Sequence, residues 1–174
     1  DVYWEAHHSN LPFKYRLAYR LFCWWAAKRA DKILTISEFS ASELRKFYNI
    51  SREKIFVNSW GLEKIFQELP KDEKYLSEIQ KIKIQFGIEN KFFLSIGQAF
   101  PRRHIKEAML AFASIADQYS DTQYLVAAID KYEPPVLENL AEEINQKSGR
   151  QALIYVKYLD REILPYLMNE ALAL

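Results

Sequence analysis

Glycine is scarce in this chain of 174 residues, at four, and cysteine is scarcer still, at one. Cys23 has no internal partner for a disulfide, and no histidine and cysteine spacing resembles a zinc site. A reducing, cytosolic setting is therefore expected, and nothing in the sequence calls for a metal. Excess charge is lacking too: 24 Lys and Arg against 23 Asp and Glu leave a net +1. A footprint on nucleic-acid phosphates needs a clustered cationic excess, so nucleic-acid binding is disfavoured. Nor is there an apolar run of about eighteen residues, because Arg20, Lys28 and Arg29 interrupt the richest stretch. No transmembrane helix is expected.

What the chain does have is apolar and aromatic content, 49% and 15%, enough to bury a core in one domain or parts of two. The first residue is Asp, and Asp1–Trp4 reads as a strand, not a targeting signal. Glu170–Leu174 stops inside an apolar pattern with no cap. Both ends suggest a fragment of a longer protein. Between them, a long helix is expected over 14–30. Strands are expected at 33–36 and 54–58 around a helix over 40–48, whose Ser40 and Glu43 have capping-box spacing. A polar stretch, Gln67 to Glu73, reads as a linker, placing a domain boundary near residue 68. Beyond it, a helix ending at Gly87 is followed by a strand at 92–96 and a helix face from Ile105 to Ile115. A strand at 123–129, a helix from Pro135 to Gly149, a strand at 152–156 and a last helix through Leu164 and Met168 complete the series. Strands alternating with helices predict an α/β fold, a parallel sheet covered on both faces.

In such a sheet ligands bind beyond the carboxyl ends of the strands. Gly97 ends one of them, and Pro101, Arg102 and Arg103 open the next helix, whose free amides and dipole favour an anion. Two arginines there suit a diphosphate held by forked hydrogen bonds. The competing reading is a pair of solvated surface charges. The dipole weighs against it, since cations at a helix amino terminus are unfavourable unless an anion joins them.

The run Ala30-Asp31, Ile33, Thr35, Ser37-Glu38-Phe39-Ser40, then Glu43-Leu44, Lys54-Ile55, Val57 and Gly61 resembles the nucleotide-sugar-dependent glycosyltransferases of family 4, the group 1 glycosyl transferases. Phe93–Gly97, Pro101-Arg102-Arg103 and Ala111-Phe112 extend the resemblance. It implies a GT-B architecture of two Rossmann-like lobes, both incomplete here: residues 1–68 the second half of the amino-terminal, acceptor-side lobe, and 69–174 the first half of the donor-binding lobe. It implies transfer of a sugar, with retention, from a nucleotide-diphosphate donor to a glycan or lipid-linked acceptor, without a bound metal or other cofactor. By the same resemblance Gly97, Arg102 and Arg103 hold the donor diphosphate. His7 and His8, in a segment similar to the family's E-x-H-D, face the transferred sugar in catalytic positions. Ser37 and Glu38 line the cleft, with helix entry as the other reading for Ser37, and Tyr158 and Leu159 contact the base. Arg103 stands where the family has lysine, His8 where it has aspartate, and Ala128 lies in a segment lacking the family's glycine. Those departures keep a noncatalytic nucleotide-sugar-binding module, or a degenerate transferase partner, as the alternative. Another doubly wound sugar-phosphate enzyme, such as an epimerase, would show a more glycine-rich first turn. The helix over 14–30, with Trp24 and Trp25 among basic residues, has two readings: a peripheral membrane contact at the inner face, or, as its apolar spacing suggests, core packing of both tryptophans.

Overall fold

The computed structural model describes Val2, Glu5 and residues 12–173. They fall into two compact units, Asp1–Leu62 and Glu63–Leu174. The polar stretch after Leu62 is tied to the second unit. Asn169 Oδ1 accepts from the Leu69 amide at 3.2 Å, and Glu63 pairs with Arg161.

The first unit contains α1 (Phe13–Arg29), β1 (Ile33–Thr35), α2 (Glu38–Tyr48) and β2 (Ile55–Val57), with β1 and β2 parallel. Its core is small: Val2, Ala27, Tyr48 and Ile50, with Cys23, Ile33 and Leu44 beside them. The helix cap is Ser37 and not Ser40. Ser37 leaves β1 in extended geometry and its hydroxyl accepts from the Ser40 amide at 3.1 Å, while Ser40 and Glu43 are buried within α2. The expectation that Trp24 and Trp25 pack in the core is also overturned, since both are about half exposed. Apolar residues run all the way round α1, so several stripes match helical spacing. The stripe that packs is the one whose small residues, Cys23 and Ala27, allow close approach.

The second unit contains α3 (Glu73–Phe86), β3 (Lys91–Ala99), α4 (Ile105–Ile115), β4 (Thr122–Asp130), α5 (Leu137–Ser148), β5 (Leu153–Val156) and α6 (Leu164–Glu170). The sheet is parallel in the order β3-β4-β5, with Gly97 opposite Ala128 and Val126 opposite Tyr155. One face packs Met109, Phe112, Leu137 and Ile144 of α4 and α5 against Tyr124, Val126 and Ala128. The other packs Ile79, Ile82 and Leu167 of α3 and α6 against Phe92, Leu94, Leu125 and Ile154. Strand β4 is thus buried on both sides, which is why its sequence reads as a continuous apolar run instead of alternating. At the amino-terminal edge the buried Gln123 amide serves four backbone groups. Its oxygen accepts from Glu89 and Asn90, and its nitrogen donates to the Gly87 and Gln151 carbonyls, at 2.8–3.1 Å.

Three boundaries differ from expectation. Strand β3 continues to Ala99, so Gly97 lies inside it. Arg102 and Arg103 belong to a short 3-10 turn, Pro101–Arg103, separated from α4 by His104 in the left-handed conformation. Helix α5 begins at Leu137, after Pro135, because the Asp130 carboxylate accepts from the Val136 and Leu137 amides at 2.7 and 2.9 Å and caps it there. No described helix is long and apolar enough to cross a membrane.

After α6 the chain returns to the free side of β3. The Leu172 amide donates to the Phe92 carbonyl at 2.8 Å, and the Leu94 amide donates to the Ala173 carbonyl at 3.0 Å. The chain advances from 172 to 173 as β3 advances from 92 to 94, so the two run parallel. Glu170 holds this return in place, accepting from Lys71 at 3.1 Å, Tyr75 at 2.9 Å and Lys83 at 3.3 Å. Burial alone would raise its carboxyl, but these three donors outweigh it and hold the group below its ordinary value. A depressed carboxylate stabilises the fold above its unfolded pKa and loses that contribution as pH falls through the folded one. Glu170→Gln should therefore lower the unfolding free energy near neutrality by about 1–3 kcal/mol. In denaturant titrations repeated at falling pH, its deficit against the parent should shrink below the ordinary glutamate range.

Candidate functional site

Successive elements move outward from β3 to β4 to β5, and then the chain crosses back to the other side of β3. Strand order therefore reverses at β3. In open α/β sheets that switch point opens a crevice at the carboxyl ends of the strands, where helices diverge to opposite faces. The loop leaving β3 at this point is Phe100–His104.

Two guanidinium groups mark the loop. Arg102 lies over the Phe100 ring, 4.4 Å from its centroid, an arrangement that orients the side chain. Arg103 folds back along the strand, with Nη1 only 2.8 Å from the point a β-carbon would occupy at Gly97. Gly97 has φ +125°, a conformation side chains rarely adopt. So the glycine does more than leave backbone open: it makes room for the Arg103 guanidinium on the sheet face. Both arginines are exposed, and His104 faces Glu107 of the first turn of α4 at 3.7 Å.

The neighbouring strand supplies an element the sequence reading did not assign. Besides capping α5, Asp130 accepts from the Tyr132 amide at 2.8 Å, so one carboxylate shapes the whole loop between β4 and α5. The signal was present: an acidic residue ending an apolar strand, followed by two prolines and a helix. Beyond β5, Lys157 is paired with Glu138 at 2.8 Å, which raises its pKa, and Tyr155 donates to the Ala128 carbonyl at 3.0 Å.

Gly97, Arg102 and Arg103 are thus brought together at the carboxyl edge of β3. Tyr158 follows β5 at the same edge of the sheet and is well exposed. Leu159 turns inward and joins the core with Ile88 and Ile154, leaving only its backbone for the base contact the resemblance implies. In the first unit, Ser37 is engaged as the α2 cap and Glu38 is exposed on the first helical turn. His7 and His8 lie outside the described residues. Glu5, of the same segment, is buried, 3.4 Å from Arg20 Nε.

The architecture recurs in solved glycosyltransferases. The structure of WaaG, a glycosyltransferase involved in lipopolysaccharide biosynthesis, aligns over 97% of this chain and 46% of its own, with a TM-score of 0.67 at 20% identity. A glycosyltransferase from Rickettsia africae aligns over 93% of this chain and 41% of its own, with a TM-score of 0.57 at 15% identity. The fold is that of a GT-B glycosyltransferase. The sequence points the same way: the serotype-specific mannosyltransferase WbdA of Escherichia coli is 27% identical over 146 residues, 82% of this chain. The chain spans about a sixth of that relative's length, 17%. No family model matches it. Within the GT-B fold, the switch point at β3 belongs to the second unit.

Two substitutions test these placements. Gly97→Ala sets a β-carbon against Arg103 Nη1 at a strained φ, and should cost about 1–3 kcal/mol in denaturant unfolding. In an Arg103→Ala background the part due to the guanidinium should vanish and only the backbone strain remain. Ser37→Ala should cost about 1 kcal/mol through loss of the α2 cap, read in the same experiment.

Proposed function

We propose that the protein carrying this chain transfers a sugar from a nucleotide-diphosphate sugar to a glycan or lipid-linked acceptor, with retention of configuration. The observation that carries this reading is the pair Arg102 and Arg103 at the point where strand order reverses, on a fold shared with glycosyltransferases. As the glycosidic bond to the donor breaks, negative charge grows on the departing diphosphate. Fixed cationic donors aimed at that charge lower the barrier more than they lower the energy of the bound donor. Arg102, steadied on Phe100, is preorganised for this. Arg103 reaches an incoming phosphate by swinging away from Gly97. We assign Tyr158, exposed beyond β5, to the base, and His7 and His8 to the transferred sugar, by their resemblance to the family segments. The reaction so written draws on the donor's own leaving group and on protein cations, with no cofactor. A mannosyl donor is the first to test, because the WbdA relative is a mannosyltransferase. We place the reaction in the cytoplasm, where nucleotide sugars would reach it.

The test is steady-state kinetics of the full-length protein with a panel of nucleotide-diphosphate sugars, following release of the nucleoside diphosphate. Arg103→Ala should lower kcat by roughly a hundredfold or more, the scale for loss of one preorganised donor. Arg103→Lys should keep much of the activity if a point charge suffices, and little if a forked contact is used. Unchanged turnover in both Arg102→Ala and Arg103→Ala would overturn the assignment.

A further inference from the structure

On the reading of Phe100–His104 as the donor loop, we propose that Tyr132 is a positioning residue whose hydroxyl takes up the Glu107 carboxylate when a diphosphate arrives at Arg102 and Arg103. Tyr132 stands in the connection from β4 to α5, whose course Asp130 fixes by accepting from the Tyr132, Val136 and Leu137 amides. Its ring joins the core cluster that Ile105 and Ala108 of α4 also join, and those two residues flank Lys106 and Glu107. The hydroxyl oxygen is enclosed, yet among the described residues it makes no hydrogen bond. A buried donor of this kind has given up water and gained no partner, which is costly and uncommon. Burial first, then the charges of Glu107 and Asp130, push the phenol up against the opposing effect of the Lys106 backbone, so it keeps its proton.

Glu107 has the complementary problem. It lies in the first turn of α4, with Oε2 3.7 Å from His104 Nδ1, a separation longer than a hydrogen bond. A diphosphate drawn to the arginines brings like charge toward this loosely held carboxylate. Retreat into water would relieve the repulsion and leave Tyr132 idle. Retreat onto the Tyr132 hydroxyl relieves it and supplies the missing acceptor in the same step, through a hydrogen bond strengthened by the carboxylate's charge. Asp130, the other carboxylate near the phenol, is already engaged by three amides. Glu107 is therefore the acceptor that suits Tyr132, and its departure also leaves the His104 ring clear of a competing anion.

The experiment measures binding of ADP, GDP and UDP to the full-length protein by calorimetry, beside thermal unfolding of the free protein. Tyr132→Phe keeps the ring, and should leave the unfolding midpoint of the free protein unchanged or raise it, because the hydroxyl it removes has no partner there. It should weaken the nucleotide that binds the parent about tenfold, the worth of one hydrogen bond to a charged group, and raise the KM for the donor by the same factor. Glu107→Ala removes the like charge and the acceptor together, so in that background Tyr132→Phe should cost nothing further. A lowered midpoint in Tyr132→Phe would mean that the hydroxyl already serves the fold. Unaltered affinity would mean that it stays idle in the complex, and an equal loss in the Glu107→Ala background would give it a different acceptor. Each of these overturns the proposal while nucleotide binding by the parent upholds the donor loop; a parent that binds none of the three nucleotides would overturn both.

Discussion

The carboxyl edge of the second unit depends on the side of β3 to which the chain returns after α6. Had residues 172 and 173 continued outward beyond β5, β3 would be a plain edge strand and Arg102 and Arg103 would sit at a rim with no crevice. The return is made by two backbone hydrogen bonds and secured by a carboxylate, Glu170, that gathers two ammonium groups and a phenol. Such a cluster needs all its members: the carboxylate without donors would be a half-buried charge without partners, and the two ammonium groups would lose the charge that draws them together. The setting of the loop that carries Arg102 and Arg103, at one end of the sheet, therefore rests on a charge cluster beyond α6.

Much of this was legible in the sequence, and the reasons are local. The alternation of strand and helix signals from Leu76 to Met168 gives the layer order directly, because each element carries its own periodicity and glycines close two of the helices, at Gly87 and Gly149. The parallel direction follows from connection length. What escaped was decided by partners distant in sequence. The true cap of α2 is Ser37, since the residue leaving β1 is extended and aimed at the helix, whereas Ser40 matches the capping-box spacing equally well on paper. The start of α5 is set by Asp130, in the preceding strand. The exposure of Trp24 and Trp25 was hidden because an aromatic-rich helix offers a plausible buried stripe in several directions.

At the candidate site, residue types were legible and their relation was not. A glycine at a strand end and a pair of arginines after it suggest an anion site from chemistry alone. That the strand runs past the glycine, and that Arg103 doubles back to lie on it, follows from the 3-10 turn at Pro101 and the left-handed His104. Those two features turn the chain so that a side chain four to six positions on covers the strand that precedes it. Leu159 shows the opposite case, a residue assigned to a ligand by its neighbours in sequence but claimed by the core.

Gln123 is buried at the far end of the sheet, with all four of its hydrogen-bonding capacities used on backbone groups from two separate connections. Turning its amide over would set donors against donors and carbonyls against a carbonyl oxygen, so only one orientation is stable. The end remote from the candidate site is in effect stitched shut by a single side chain. A side chain at position 123 unable to offer both an amide oxygen and an amide N–H would leave backbone groups of both connections without partners, so this end of the sheet tolerates almost no other residue there.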